Sequence, residues 1–101
     1  MMTAESWDLV ATDGTVLGHV EGYERDMFWL DCHFVPTPAF ATVAPLFLEA
    51  HRLLERDEMD ALDAAYQRID ALGLQLRPSD GTTAIREFIL HVDGRHARLR
   101  Y

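Results

Sequence analysis

Apolar and polar residues along this chain follow three regimes. Through Val35 they alternate with a period of two, from Val43 to Ile69 they recur every three or four positions, and near the C-terminus the period of two returns. The first regime predicts a hairpin. The segments "SWDLVAT" and "TVLGHVEG" flank Asp13-Gly14, a dipeptide suited to the positive φ angles of a tight turn. A two-residue loop there sets Ala11 against Val16, Leu9 against Gly18, Asp8 against His19 and Trp7 against Val20. One face then carries Trp7, Leu9, Ala11, Val16 and Val20, and the other Asp8, Val10, Leu17 and His19. A further strand is predicted from Met27 to Val35. Phe28, Leu30, Cys32 and Phe34 point to the core in this reading, and Trp29, Asp31 and His33 point away. Pro36 and Pro38 end it, because proline cannot donate to a ladder.

The helical regime splits in two. Val43, Leu46, Phe47, Ala50, Leu53 and Leu54 form one stripe, and Met59, Leu62, Tyr66 and Ile69 another, with "ERDE" at 55–58 joining neither. Asp57 is the expected cap of the second helix, and Gly73 the expected stop beyond it. "RPSDGTT" is a loop, preceded by a short strand at Leu74 to Leu76. A last hairpin, "IREFILHV" and "RHARLRY", turns at Asp93-Gly94 and sets His91 against His96, with Phe88, Leu90, Ala97 and Leu99 facing inward. Strands, two helices and strands again, without a βαβ alternation, predict an α+β fold. It is an antiparallel sheet, made of two Asp-Gly hairpins and a central strand, with a two-helix layer packed on one face. Strand order does not follow from the sequence.

Composition narrows the function classes. The 101 residues suit a single domain spanning 1–101, with 49% apolar and 26% charged residues. A net charge of −8 disfavours nucleic acid, whose binding rests on displaced counterions, and favours a basic partner instead. One Cys forms no internal disulfide, the start "MMTAESWDLV" lacks the form of a signal peptide, and Ala39 to Leu48 is too short to span a bilayer. These features predict a soluble cytoplasmic protein with no membrane association. The chain contains no Lys, which excludes Schiff-base chemistry and a P-loop lysine, and no Asn, which excludes N-glycosylation.

Candidate chemistry gathers on one side of the predicted sheet. His19, His33, His91 and His96 all fall on the face opposite the core, together with Asp8, Asp31 and Trp29. Imidazoles beside carboxylates serve metal sites, acid–base centres and pH-sensitive surfaces, and they also decorate ordinary solvated sheets. No dense ligand spacing such as HExxH or CxxC occurs. Cys32 reads as a structural core thiol, since its neighbour His33 points the other way. His51 and Glu55, four apart on a helix, read as a solvent-facing pair, and Arg95, Arg98 and Arg100 as a basic edge partly neutralised by Glu87.

Trp29, Val10, Leu17 and Ile89 also lie on the face the helices do not reach, and exposed apolar residues call for a cover. The expected function is therefore a non-catalytic protein-binding or self-associating module, possible as a homodimer, using that face and no cofactor. The alternative is a metal-binding or acid–base enzyme domain built on the His and Asp residues of the same face. A third expectation is a small-molecule site near Tyr23, Tyr66 and Trp7.

Overall fold

The computed structural model describes residues 5–101. Residues 1–4, part of the opening stretch read for a signal peptide, lie outside the described residues. The strands are β1 (Ser6–Val10), β2 (Val16–Asp26), β3 (Trp29–Pro36), β4 (Gln75–Pro78), β5 (Ile89–Asp93) and β6 (His96–Arg100). Between β3 and β4 come a 3-10 turn (Pro38–Thr42) and the helices α1 (Ala44–Glu55) and α2 (Met59–Asp70). The strands form one antiparallel sheet in the order β4-β1-β2-β3-β6-β5. The fold is α+β, with the two-helix layer on one face. Among the described residues no helix is long and apolar enough to cross a membrane.

The expected alternation builds the core face. Leu9, Val20, Cys32, Phe34, Ala97 and Leu99 are fully buried, and Leu76 of edge strand β4 and Leu90 of edge strand β5 join the same cluster. Side chains from both edges meet because the sheet curls around its core, as twisted antiparallel sheets do. The aromatic rings of Phe34, Phe40 and Phe47 then link sheet to helix, with centroids 4.9 and 5.5 Å apart in turn. Each such ring contributes roughly 1.5–3 kcal/mol by leaving water. A small second cluster of Ala50, Leu62 and Ala65 holds α2 against α1.

Four local expectations are corrected. In the first hairpin the pairs Trp7–Val20, Asp8–His19 and Leu9–Gly18 form as expected, but a bulge then pairs Val10 with Val16 and leaves Leu17 over. A bulge interrupts the period of two, and Val10 and Leu17, expected outside, are both buried. In the second correction, β2 runs on to Asp26, so Met27 and Phe28 form the β2–β3 turn, and Phe28 is exposed instead of facing the core. Third, the last hairpin turns on Gly94-Arg95. Gly94 at φ +62 supplies the left-handed first position that such a turn requires, and the strands slide so that His91 pairs with Arg98, not His96. Fourth, Asp57 takes φ +57 between the helices, leaving Glu58 at the N-terminal boundary of α2 with no side-chain cap.

Candidate functional site

Register decides which side chains share the uncovered face. One row across the strands holds Glu21, His33, His96 and Asp93, and the next holds Glu24, Asp31, Arg98 and His91. Asp26 and Trp29 pair beside the second row, next to the exposed turn residues Met27 and Phe28. A second bulge, between Gly22 and Glu24, leaves Tyr23 unpaired. Gly22 itself is required by close approach: a Cβ there would lie 2.6 Å from the Leu30 side chain. The extra residue turns the Tyr23 ring onto the open face, stacked on His33 at 4.4 Å and 22° and standing 6.4 Å from His96.

Arg98 organises the centre. Its Nε donates to Asp31 Oδ1 at 3.1 Å, its Nη2 lies 3.7 Å from Asp26 Oδ2, and its guanidinium covers the Trp29 ring at 5.4 Å from the centroid. A planar guanidinium can make the bond and the stack together, which a lysine ammonium cannot. His96 Nε2 stands 3.6 Å from Asp31 Oδ1, close enough to attract when protonated but beyond a hydrogen bond. Arg100 covers the Phe28 ring at 5.2 Å. The face is thus a charged centre bordered by Tyr23, Phe28 and Trp29, with exposed Val35 farther along β3.

The predicted residues divide accordingly. Trp29, Asp31, His33 and His96 are brought together around Arg98 and Tyr23. His19 and Asp8 form their own pair, Nδ1 to Oδ1 at 2.5 Å, opposite Val35 and away from that centre. His91 occupies its expected face but is buried, because α1 meets the sheet at β5 and brings His51 against it, with 2.9 Å between His51 Nδ1 and His91 Nε2. Burial first, and the nearby His51 second, push the His91 pKa below its ordinary value. His51, expected to face solvent with Glu55, does bind Glu55 at 2.8 Å but is only 20% exposed. The partners of Arg98 are Asp31 and Asp26, where Glu87 was expected to neutralise the basic edge. Tyr23, expected at a small-molecule site, and Arg98, expected in a basic edge, instead occupy the centre of the open face. The bulge beside Gly22 is what carries Tyr23 to that face.

Catalytic and metal readings find little geometry here. Among the described residues, no group of three or more His, Cys, Asp or Glu is arranged to hold a metal ion. Cys32 is buried, and burial followed by the charge of Asp31 pushes its thiol up to about 12. The expected pocket near Tyr66 exists as an open cleft of ≈ 870 Å³ between the end of α2 and the approach to β5. Tyr101 at its mouth packs edge-on against Trp7 at 5.4 Å, and Tyr23 takes no part. Its lining carries two arginines, Arg86 and Arg100, and two carboxylates, Asp70 and Glu87, so its net charge selects no ligand class. Comparison with protein families, with curated proteins and with solved structures finds no match for this chain.

Proposed function

We propose that this protein is a non-catalytic binding module that takes a protein partner, or a second copy of itself, on the open face of its sheet. The observation that supports this reading is the group of exposed Tyr23, Phe28 and Val35 with half-buried Trp29, on the side of the sheet that carries no helix. Aromatic residues held in place by guanidinium stacking make good interface anchors, because little rotamer freedom remains to be lost on binding. The carboxylates around them and the net charge of −8 favour a basic partner and disfavour nucleic acid. A cytoplasmic setting belongs to the same proposal.

Trp29→Asp tests it. The new carboxylate removes the stacking surface and adds a third negative charge beside Asp26 and Asp31, so complex or dimer is lost while the sheet persists. Solution mass and partner recovery from the native cell are compared between the two forms. A strict monomer with no recovered partner, unaltered by the substitution, rejects the proposal.

The second reading, an acid–base or metal-binding domain, draws support from the His19–Asp8 pair and the approach of His96 to Asp31. Both lie on open surface, where water competes with any substrate for the imidazole. An unchanged melting temperature on adding zinc, nickel or manganese removes the metal version of this reading.

A further inference from the structure

A second groove, of ≈ 460 Å³, runs between α1 and the turn that joins β5 to β6. It shares only Asp93 with the rows of the open face, so it stands apart from the reading above. Ala44, Leu48 and His51 follow one another at spacings of four and three, and so lie on one side of α1. The groove follows that side for about 10 Å along the helix axis. Phe40, Phe47 and Val92 are buried beneath it, and Leu48, 48% exposed, stands at its edge. Floor and edge are apolar, and the polar side chains gather where His51 and Asp93 close one end.

That end carries negative charge. His51 Nε2 meets Glu55 Oε1 at 2.8 Å, and Asp93 Oδ1 lies 3.6 Å from the same nitrogen, too far for a hydrogen bond. The imidazole is therefore committed to Glu55, and the Asp93 carboxylate, 61% exposed, is left to accept from a ligand. With His51 neutral the two carboxylates leave two negative charges there, and with His51 protonated one remains. Among the described residues no arginine lines the groove, so either state favours a cation. The larger cleft beside Tyr66 differs, since its arginines balance its carboxylates.

We propose that this groove binds a small amphiphilic amine, whose ammonium donates to Asp93 and whose alkyl or aryl group lies on Phe40, Phe47, Leu48 and Val92. The volume falls within the range of roughly 300–1,000 Å³ that small ligands occupy. A hydrogen bond between two charged groups is stronger than one between neutral groups, so an ammonium gains more at Asp93 than a hydroxyl does. A carboxylate ligand of the same length meets Asp93 and Glu55 as like charges. The apolar floor sets the second preference, because each methylene laid on it leaves water. Charge and tail are thus recognised at opposite ends of one short groove, which is what separates an amphiphilic amine from a simple cation or a simple hydrocarbon.

NMR titration of the full chain with hexylamine, hexanol and hexanoate tests it near neutral pH, where an alkylamine is protonated. Hexylamine is expected to give saturable shifts at the amides of Val92, Asp93 and Gly94 and at the methyls of Leu48 and Val92. It binds about two- to fivefold tighter than hexanol, the size of an exposed ion pair, and hexanoate binds most weakly. Shortening the tail to propylamine weakens binding by up to about fourfold for each methylene removed. Asp93→Asn closes most of the gap between amine and alcohol, whereas Asp63→Asn, the same loss of charge at an exposed position of α2, leaves it open. Leu48→Ser weakens amine and alcohol alike. Both Leu48 and Asp93 are exposed, so neither change disturbs the core. Equal binding of amine and alcohol, a preference that survives Asp93→Asn, an affinity indifferent to Leu48→Ser, or shifts centred on the cleft beside Tyr66 overturns the proposal. Shifts at the same residues on raising protein concentration alone would assign the groove to a second copy, and overturn it as well.

Discussion

Cys32 shows how far a single side chain's chemistry depends on the direction in which its strand points it. The residue lies between Asp31 and His33, which in a sequence suggests a nucleophile beside its base. In the sheet it is fully buried, its Sγ directed at the Leu30 carbonyl oxygen 3.4 Å away, while both neighbours point to the other face. Lifting the thiol from 9.0 to about 12 reduces its thiolate fraction near neutral pH by about a thousandfold. The folded protein is therefore expected to resist a water-soluble disulfide reagent that labels it at once in guanidinium chloride. Rapid labelling without denaturant means that Cys32 reaches solvent in the native state. His33 beside it takes a surface role, stacked under Tyr23, and the two residues share no chemistry.

At the scale of the element, α2 depends on few contacts. Its attachment to α1 rests on Ala50, Leu62 and Ala65, with Ile69 reaching the main core near its C-terminal end, while Met59 at its start stays exposed. Two of the three buried residues in that cluster are alanines, so Leu62 is its one large buried side chain, with Leu53, Tyr66 and Ile69 partly buried against it. Leu62→Ala is expected to cost about 2–5 kcal/mol and to lower the helical circular dichroism before the sheet melts. A loss under about 0.5 kcal/mol, the range of ordinary surface substitutions, means that α2 is held elsewhere. The helices were legible because a three-to-four periodicity survives any packing arrangement. The strands were legible for the same reason, and the core face of β3 from Leu30 to Phe34 follows from alternation alone. What alternation cannot reveal is an inserted residue. One bulge buried Leu17, another presented Tyr23, and a turn displaced by one position exchanged the partner of His91 without changing its face. The burial of His91 was beyond reach of the sequence for another reason: it depends on where α1 crosses the sheet edge, and no local pattern encodes that.

For the whole molecule the dominant quantity is charge. Seventeen acidic residues against nine arginines leave −8 on a chain with a radius of gyration of 13.1 Å. The open face repeats the imbalance, with Asp8, Glu21, Glu24, Asp26, Asp31 and Asp93 against Arg77, Arg98 and Arg100. Salt at physiological strength screens charges beyond about 8 Å, less than the spacing between opposite sides of the molecule. Raising sodium chloride from about 10 mM to physiological strength is therefore expected to raise the melting temperature, because it relieves a repulsion that the unfolded chain spreads over a larger volume. The same logic separates the two occupants proposed for the face. Two copies meeting there bring their carboxylates together, so self-association must strengthen with salt. A basic partner is drawn in by those carboxylates, and its affinity must weaken over the same range, chiefly through slower association. A dimer that dissociates as salt rises would mean that the copies join elsewhere, for the open face has too few arginines to attract itself.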